Sequence, residues 1–204
     1  MKNCADPVFA HYLPQSIGIP NIYAAIGAAF QQFDKVPASF LYDLPQEIIP
    51  GVWSAIGATA PGTYENSGHN NNLSFIITGE GVVVVNAGDN VLLAQSLHEE
   101  IRKRTDKPVK YVVLENGQGH AMLGSKYWKE QGARIVAQRD TAKYIEQFGY
   151  DALETMRSRA RDKAFRTDVV MPDILYDDRL DLSMGGWSIQ VLHLGNAHHH
   201  GDTM

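Results

Sequence analysis

The sequence predicts an α/β domain in which helices pack on a sheet. Three observations carry that prediction. From residue 51 onward, short β-branched runs alternate with segments of helical period. The chain has 204 residues, 44% of them hydrophobic, which suits one domain, or a large part of one, with a packed core. Polar loops follow three of the runs, at the strand ends where α/β folds carry their chemistry.

Residues 1–50 are rich in turn formers: Pro7, Pro14, Pro20, Pro37, Pro45 and Pro50. Between them "NIYAAIGAAFQQF" reads as one short apolar helix that Asn21 can cap. Residues 1–50 are therefore expected to be an N-terminal extension that packs on, or leads into, the main domain at 51–204. In that domain "GVWSAIG" reads as a strand. "NLSFIITGEGVVVVNAG" reads as a hairpin, two β-branched runs turned at Gly79-Glu80 with Gly81 close behind. "DNVLLAQSLHEEIRKRT" follows as a helix. Leu93, Leu97 and Ile101 lie four apart on one face, and Asp89 or Asn90 can cap it.

"PVKYVVLE" is a buried strand, "AMLGSKYWKEQG" a helix ending at Gly132, and "ARIVAQ" another strand. "RDTAKYIEQFG" and "DALETMRSRARDKAF" read as two helices. The remainder closes with strands, the last two turned at Gly185-Gly186. No internal repeat or low-complexity segment interrupts the pattern.

Composition narrows the function classes. The formal net charge is −5, which argues against nucleic acid as partner, since phosphate binding calls for a clustered basic surface. The densest basic stretch, "MRSRARDKAFR", is broken by Asp162 and reads as a solvated helix face rather than an anion or partner site. Cys4 is the only cysteine, so neither an internal disulfide nor a thiolate zinc cluster is expected. No run approaches the roughly 18 apolar residues of a membrane span. The N-terminus lacks a basic segment followed by an apolar core and cleavage site, which makes a cytoplasmic chain the default expectation. A small-molecule substrate is the expected partner, with neither nucleic acid nor membrane.

Three histidine-bearing loops could do chemistry. In "LGNAHHHGDT", His198, His199 and His200 follow a buried strand and Gly195. Imidazole is the commonest metal ligand near neutral pH. Adjacent side chains on an extended chain alternate in direction, so one or two of the three could share an ion; a plain polar loop is equally open. In "YVVLENGQGHAMLGS", Asn116 and Gln118 offer amide oxygens and His120 an imidazole, with Gly117 and Gly119 allowing a tight turn. From these residues alone a glycine-rich turn capping the next helix is the simpler reading. In "SGHNNNLSF", His69 precedes a strand and reads as structural. His11, His98 and His193 are given no role. A serine nucleophile is disfavoured, because no Gly-x-Ser-x-Gly elbow occurs. Walker and dinucleotide spacings are also absent.

Taken in order, these loops resemble the metallo-β-lactamase fold superfamily from about residue 51 to 204. The hairpin resembles the family's opening hairpin, which usually ends in Asp-x-Gly; here Asn86 stands in the aspartate's place. "YVVLENGQGHAMLG" resembles the loop that usually reads Thr-His-x-His-x-Asp-His-x-x-Gly. Anchored on Gly124, it puts Asn116 and Gln118 at the first two histidines, His120 at the aspartate and Ala121 at the last histidine. A shifted one-residue gap puts His120 at the last histidine and Gly119 at the aspartate. "LGNAHHHGDT" resembles Gly-x-x-His-Thr-x-Gly-Asp, with His198 at the ligand position. The variant first motif and "HAMLGSKYW" resemble the quinoprotein relay system zinc metallohydrolases and related sulfur-oxidation proteins.

The resemblance implies an αββα sandwich, one or two metals, usually zinc, and hydrolysis of an ester, thioester or related bond. It implies a degenerate, single-metal site with His120 and His198 as ligands and Asn116 and Gln118 positioning water or substrate. The alternative is a non-catalytic member that binds a small molecule or partner in the cleft. The family's later motifs, an aspartate that bridges the metals and a final histidine, would follow Met204. The chain is therefore expected to be the N-terminal portion of the sandwich, exposing apolar surface and sheet edges when alone.

Overall fold

A computed structural model of the chain describes residues 39–204. The helix expected in "NIYAAIGAAFQQF", with its Asn21 cap, and also Cys4 and His11, lie outside the described residues. The core of the fold is a seven-stranded mixed sheet, in order β1 (Gln46–Ile49), β2 (Val52–Ala55), β3 (Leu73–Ile77), β4 (Val82–Val85), β5 (Val109–Val113), β6 (Arg134–Gln138) and β7 (Ile174–Tyr176). Strands β1 to β4 pair antiparallel, and β4 to β7 pair parallel. Residues 46–49, within the expected extension, thus form an edge strand of this sheet.

The expected hairpin is β3–β4, and Thr78 closes its turn by donating its N–H and hydroxyl to the Gly81 carbonyl. Helix α1 (Val91–Arg102) follows β4, and Asn90, not Asp89, caps it by accepting the Leu93 N–H at 2.9 Å. The helix expected over "AMLGSKYWKEQG" is two short helices, α2 (Gly119–Met122) and α3 (Ser125–Glu130), broken at Leu123-Gly124. The break lets Gly124 approach the preceding loop, where its N–H donates to the Gly88 carbonyl at 2.7 Å. A Cβ there would collide with the Ala87 carbonyl oxygen.

The two helices expected after β6 are one, α4 (Arg139–Ala160). Gly149 does not end it; a Cβ there would lie 2.9 Å from Val169 Cγ1, so glycine at this point serves close packing. The last strands, β8 (Arg179–Met184) and β9 (Trp187–Leu192), form a separate hairpin, turned at Gly185-Gly186 as expected, with φ of +55° and +87°.

Alternation along the central strands builds two cores. Val82, Val84, Val112, Ile135 and Ala137 face the helices, where they join Leu93, Leu97, Trp128, Ile145 and Leu153. Val83, Val113 and Val136 face the other way and pack on Leu182, Met184 and Val191 of the hairpin. The described residues therefore make three layers of the expected αββα sandwich: helices, large sheet, second sheet. The hairpin's other face carries exposed Arg179, Asp181, Ser183, Ser188 and Gln190, so it is polar rather than apolar. Exposed apolar side chains lie elsewhere, among them Leu44, Ile48, Ile49 and Ile56 near β1 and β2 and Tyr150, Phe165 and Leu194 farther along the chain.

Candidate functional site

Loops leaving β4, β5, β6 and β9 meet at the carboxyl ends of the parallel strands, and side chains stitch them together. Asn86 follows β4 in the left-handed region, φ +68°. Its Oδ1 accepts the Glu115 N–H at 3.1 Å, and its Nδ2 donates to the Asn72 carbonyl at 3.2 Å. An amide can do both; a carboxylate could not donate to that carbonyl, which gives Asn86 a local reason to be asparagine. The Thr203 N–H donates to the Glu115 carbonyl at 2.8 Å, and Thr141 Oγ1 in the first turn of α4 donates to the Gly201 carbonyl at 2.8 Å. The loop after β9 is thus tied to both the β5 loop and α4. Within it, the Asp202 carboxylate accepts the N–H groups of His198 and His199.

The four site residues expected from sequence divide between two places. Gln118, the residue before α2, and His120, in that helix's first turn, line a cavity of about 320 Å³ with Asp89, Thr155 and Arg159. His198 stands beside them, its Nε2 3.5 Å from Gln118 Nε2. Asn116 is buried elsewhere: its Oδ1 accepts the Gln118 N–H at 3.0 Å, fixing the turn, and it borders a separate cavity with Leu192, Asn196 and Thr203. Neither Gly117 nor Gly119 is in the left-handed region. Gly117 is needed for proximity, since a Cβ there would lie 2.7 Å from Tyr144 Cδ1.

His120 Nε2 lies 3.8 Å from Glu115 Oε1. Burial lowers its pKa, more than the nearby Glu115 and Asp89 carboxylates raise it. Burial thus favours the neutral ring, the form that can ligate a metal.

Sequence reasoning missed an ion pair on the cavity wall. Asp89 is almost fully buried, and both its oxygens lie 2.6 Å from Arg159 Nη2. Burial raises the Asp89 carboxyl and the guanidinium counteracts it. The stretch read as a solvated helix face is only partly so. Arg157 pairs with exposed Glu154, but Arg159 turns inward and Lys163 donates to Ser67 Oγ at 3.1 Å. The signal for Arg159 is its spacing. Tyr144, Phe148, Asp151, Thr155 and Arg159 recur every three or four residues, one stripe of a helix that runs through Gly149.

Of the remaining histidines, His69 is fully buried and accepts the Tyr42 N–H on Nδ1 at 2.8 Å, a structural role as expected. His98 is buried against Tyr127, with Nδ1 2.9 Å from the phenol oxygen.

As a metal site the donor set falls short. A catalytic zinc takes about three protein ligands. Among the described residues no group of three or more His, Cys, Asp and Glu side chains is placed to hold a metal. Two imidazoles, His120 and His198, are at hand, and Asp89 is committed to Arg159. A dinuclear zinc centre does not fit these residues. No helix among the described residues is long and apolar enough to cross a membrane.

No sequence-family model matches the chain. Solved structures do. The chain is similar to a metallo-β-lactamase from Pontibacter korlensis, with 19% identity and a TM-score of 0.57, over 78% of this chain and 64% of that one. It is similar to the FEZ-1 metallo-β-lactamase from Legionella gormanii, with 17% identity and a TM-score of 0.56, over 78% of this chain and 56% of that one. It is also similar to a double mutant of the sec-alkyl sulfatase PisA1, with 11% identity and a TM-score of 0.57, over 79% of this chain and 29% of that one. The chain thus spans less than two thirds of the length of these proteins. The described residues have the metallo-β-lactamase fold.

Proposed function

We propose that this metallo-β-lactamase fold serves a hydrolase-like protein with an altered, single-metal site, acting on a small ester, thioester or related molecule. His120 and His198 are the metal ligands. A third ligand must come from outside residues 39–204 or from solvent, and zinc is the metal that imidazole donors on this fold suggest. Gln118 orients substrate or water from the cavity wall, while Asn116 shapes the loop behind it. The observation that carries the reading is the approach of His198 to Gln118, 3.5 Å across 80 residues of sequence, beside the cavity that His120 lines. Metal ions in hydrolase sites act as Lewis acids; this chain's residues contribute binding and orientation.

A second reading, a non-catalytic member that binds a small molecule in the cleft, is favoured by a different observation. Asn116 and Asp89, two polar groups near the site, are taken up by the Gln118 N–H and by Arg159. Hydrolysis of p-nitrophenyl acetate and of an acyl thioester by the intact protein with added zinc separates the two. The single-metal reading expects turnover that a chelator and His120→Ala each reduce by a factor of about 100 or more. Background rates indifferent to both would establish the non-catalytic reading instead.

A further inference from the structure

Arg159 is tied to Asp89 through one nitrogen only. Both carboxylate oxygens lie 2.6 Å from Nη2. Nε is enclosed and makes no hydrogen bond. Among the described residues Nη1 has no hydrogen-bond partner, and it is not enclosed. The side chain keeps 26% of its surface open and borders the 320 Å³ cavity that His120 lines. The two hydrogens of Nη1 are therefore the donors this guanidinium has left to offer a ligand.

The neighbours fix the group and leave that nitrogen clear. Asp89 is almost fully buried, so the carboxylate holds the planar guanidinium in one orientation. A Cβ at Gly62, in the loop from β2 to β3, would lie 3.1 Å from Arg159 Cζ and 3.2 Å from Nη1. Glycine lets the loop lie against the guanidinium with no side chain over it. The ion pair is close to neutral as a whole. What it offers an anion is a charge-assisted hydrogen bond at a fixed place, not a long-range field.

The rest of the α4 wall sorts along the helix. Phe148, 39% exposed, and Ala152 give the cavity an apolar flank. Phe148 and Tyr144 also border a second cavity, of about 470 Å³. Asp151 is exposed and lies eight residues before Arg159, about 12 Å along the helix axis. The wall thus carries a carboxylate at one end and an unspent cationic donor at the other, so an anion is turned toward Arg159.

We propose that Arg159 Nη1 receives a carboxylate carried by the ligand of this cavity, whose apolar chain runs along Phe148 and Ala152. Combined with the hydrolase reading above, on which this extension rests, the substrate class is a half-ester or half-thioester of a small dicarboxylic acid. Its free carboxylate sits on Arg159 and the bond to be cleaved lies toward His120. Arg159 is then the specificity-determining residue, and Asp89 positions it.

Calorimetric titration of the intact protein with hexanoate and its neutral counterpart hexanamide tests the site without requiring turnover. Hexanoate is expected to bind one to one, at least about tenfold more tightly than hexanamide. The double variant Asp89→Asn, Arg159→Gln leaves no unpaired buried charge and abolishes that preference. Arg159→Lys keeps the charge and the Asp89 partner but has no second nitrogen, and it reduces the preference to within about threefold. Circular dichroism checks that both variants fold. His120→Ala leaves hexanoate binding unchanged, so hexanoate binding without ester hydrolysis would sink the enzymatic reading and spare the carboxylate site. Equal affinity for the two probes, no hexanoate binding, or a preference kept by both Arg159 variants would overturn the proposal. So would a preference lost with His120→Ala, which would put the carboxylate on a metal instead.

Discussion

Two buried imidazoles, His69 and His98, are expected to make the fold sensitive to acid. Burial pushes His69 down to about 4, and His98 likewise to about 4, where Arg102 adds to the effect. In the unfolded chain a histidine titrates near 6.5. The folded state therefore binds fewer protons than the unfolded state between those values. The stability is fully present above the unfolded pKa and is lost as pH falls through the interval toward the folded pKa. Each residue contributes on the order of 3 kcal/mol at most. Urea midpoints are expected to decline steadily from pH 7 to 4.5, and His98→Gln should shrink that decline by about half. An unchanged slope in the variant would show that other groups carry the acid response. Asn86 illustrates a different residue-level lesson. Its amide joins Asn72 and Glu115 at once, which an aspartate in the same place could not do.

Helix α4 is the element on which both cavities depend. Its inner side packs Ile145, Leu153 and Met156 into the core, and the flanking stripe from Tyr144 to Arg159 lines the clefts. Read as two helices parted at Gly149, the sequence hides that stripe, because its phase is lost at the break. Glycine is a poor helix former, yet helical propensity yields here to the contact with Val169. Gly149→Ala tests that account. On propensity alone it would stabilise by about 1 kcal/mol. With Val169 Cγ1 2.9 Å from the new Cβ, it should instead destabilise by about 1–3 kcal/mol, measured by denaturant unfolding. A gain in stability would mean the helix has room at this point and that Gly149 serves no packing role.

At the level of the whole molecule, the sheet and its loops were legible from period-two runs and β-branched strands, since strand alternation is a local signal. The helix-facing and hairpin-facing cores follow directly from that alternation at Val82, Val83 and Val84. Long-range partners were less legible. Nothing local in "MRSRARDKAFR" announces that Arg159 reaches Asp89, 70 residues away. Nothing in "ENGQG" announces that Asn116 spends its amide oxygen on the Gln118 N–H. Such pairings are decided by packing, which a one-dimensional pattern does not contain. The proposed function rests on His120 and His198 holding a metal together. Its most direct test is zinc titration of the intact, metal-stripped protein beside His120→Ala and His198→Ala. A single-metal site predicts one equivalent bound per chain, with affinity lowered at least about tenfold by either substitution. Two equivalents, none, or binding unmoved by both substitutions would contradict it.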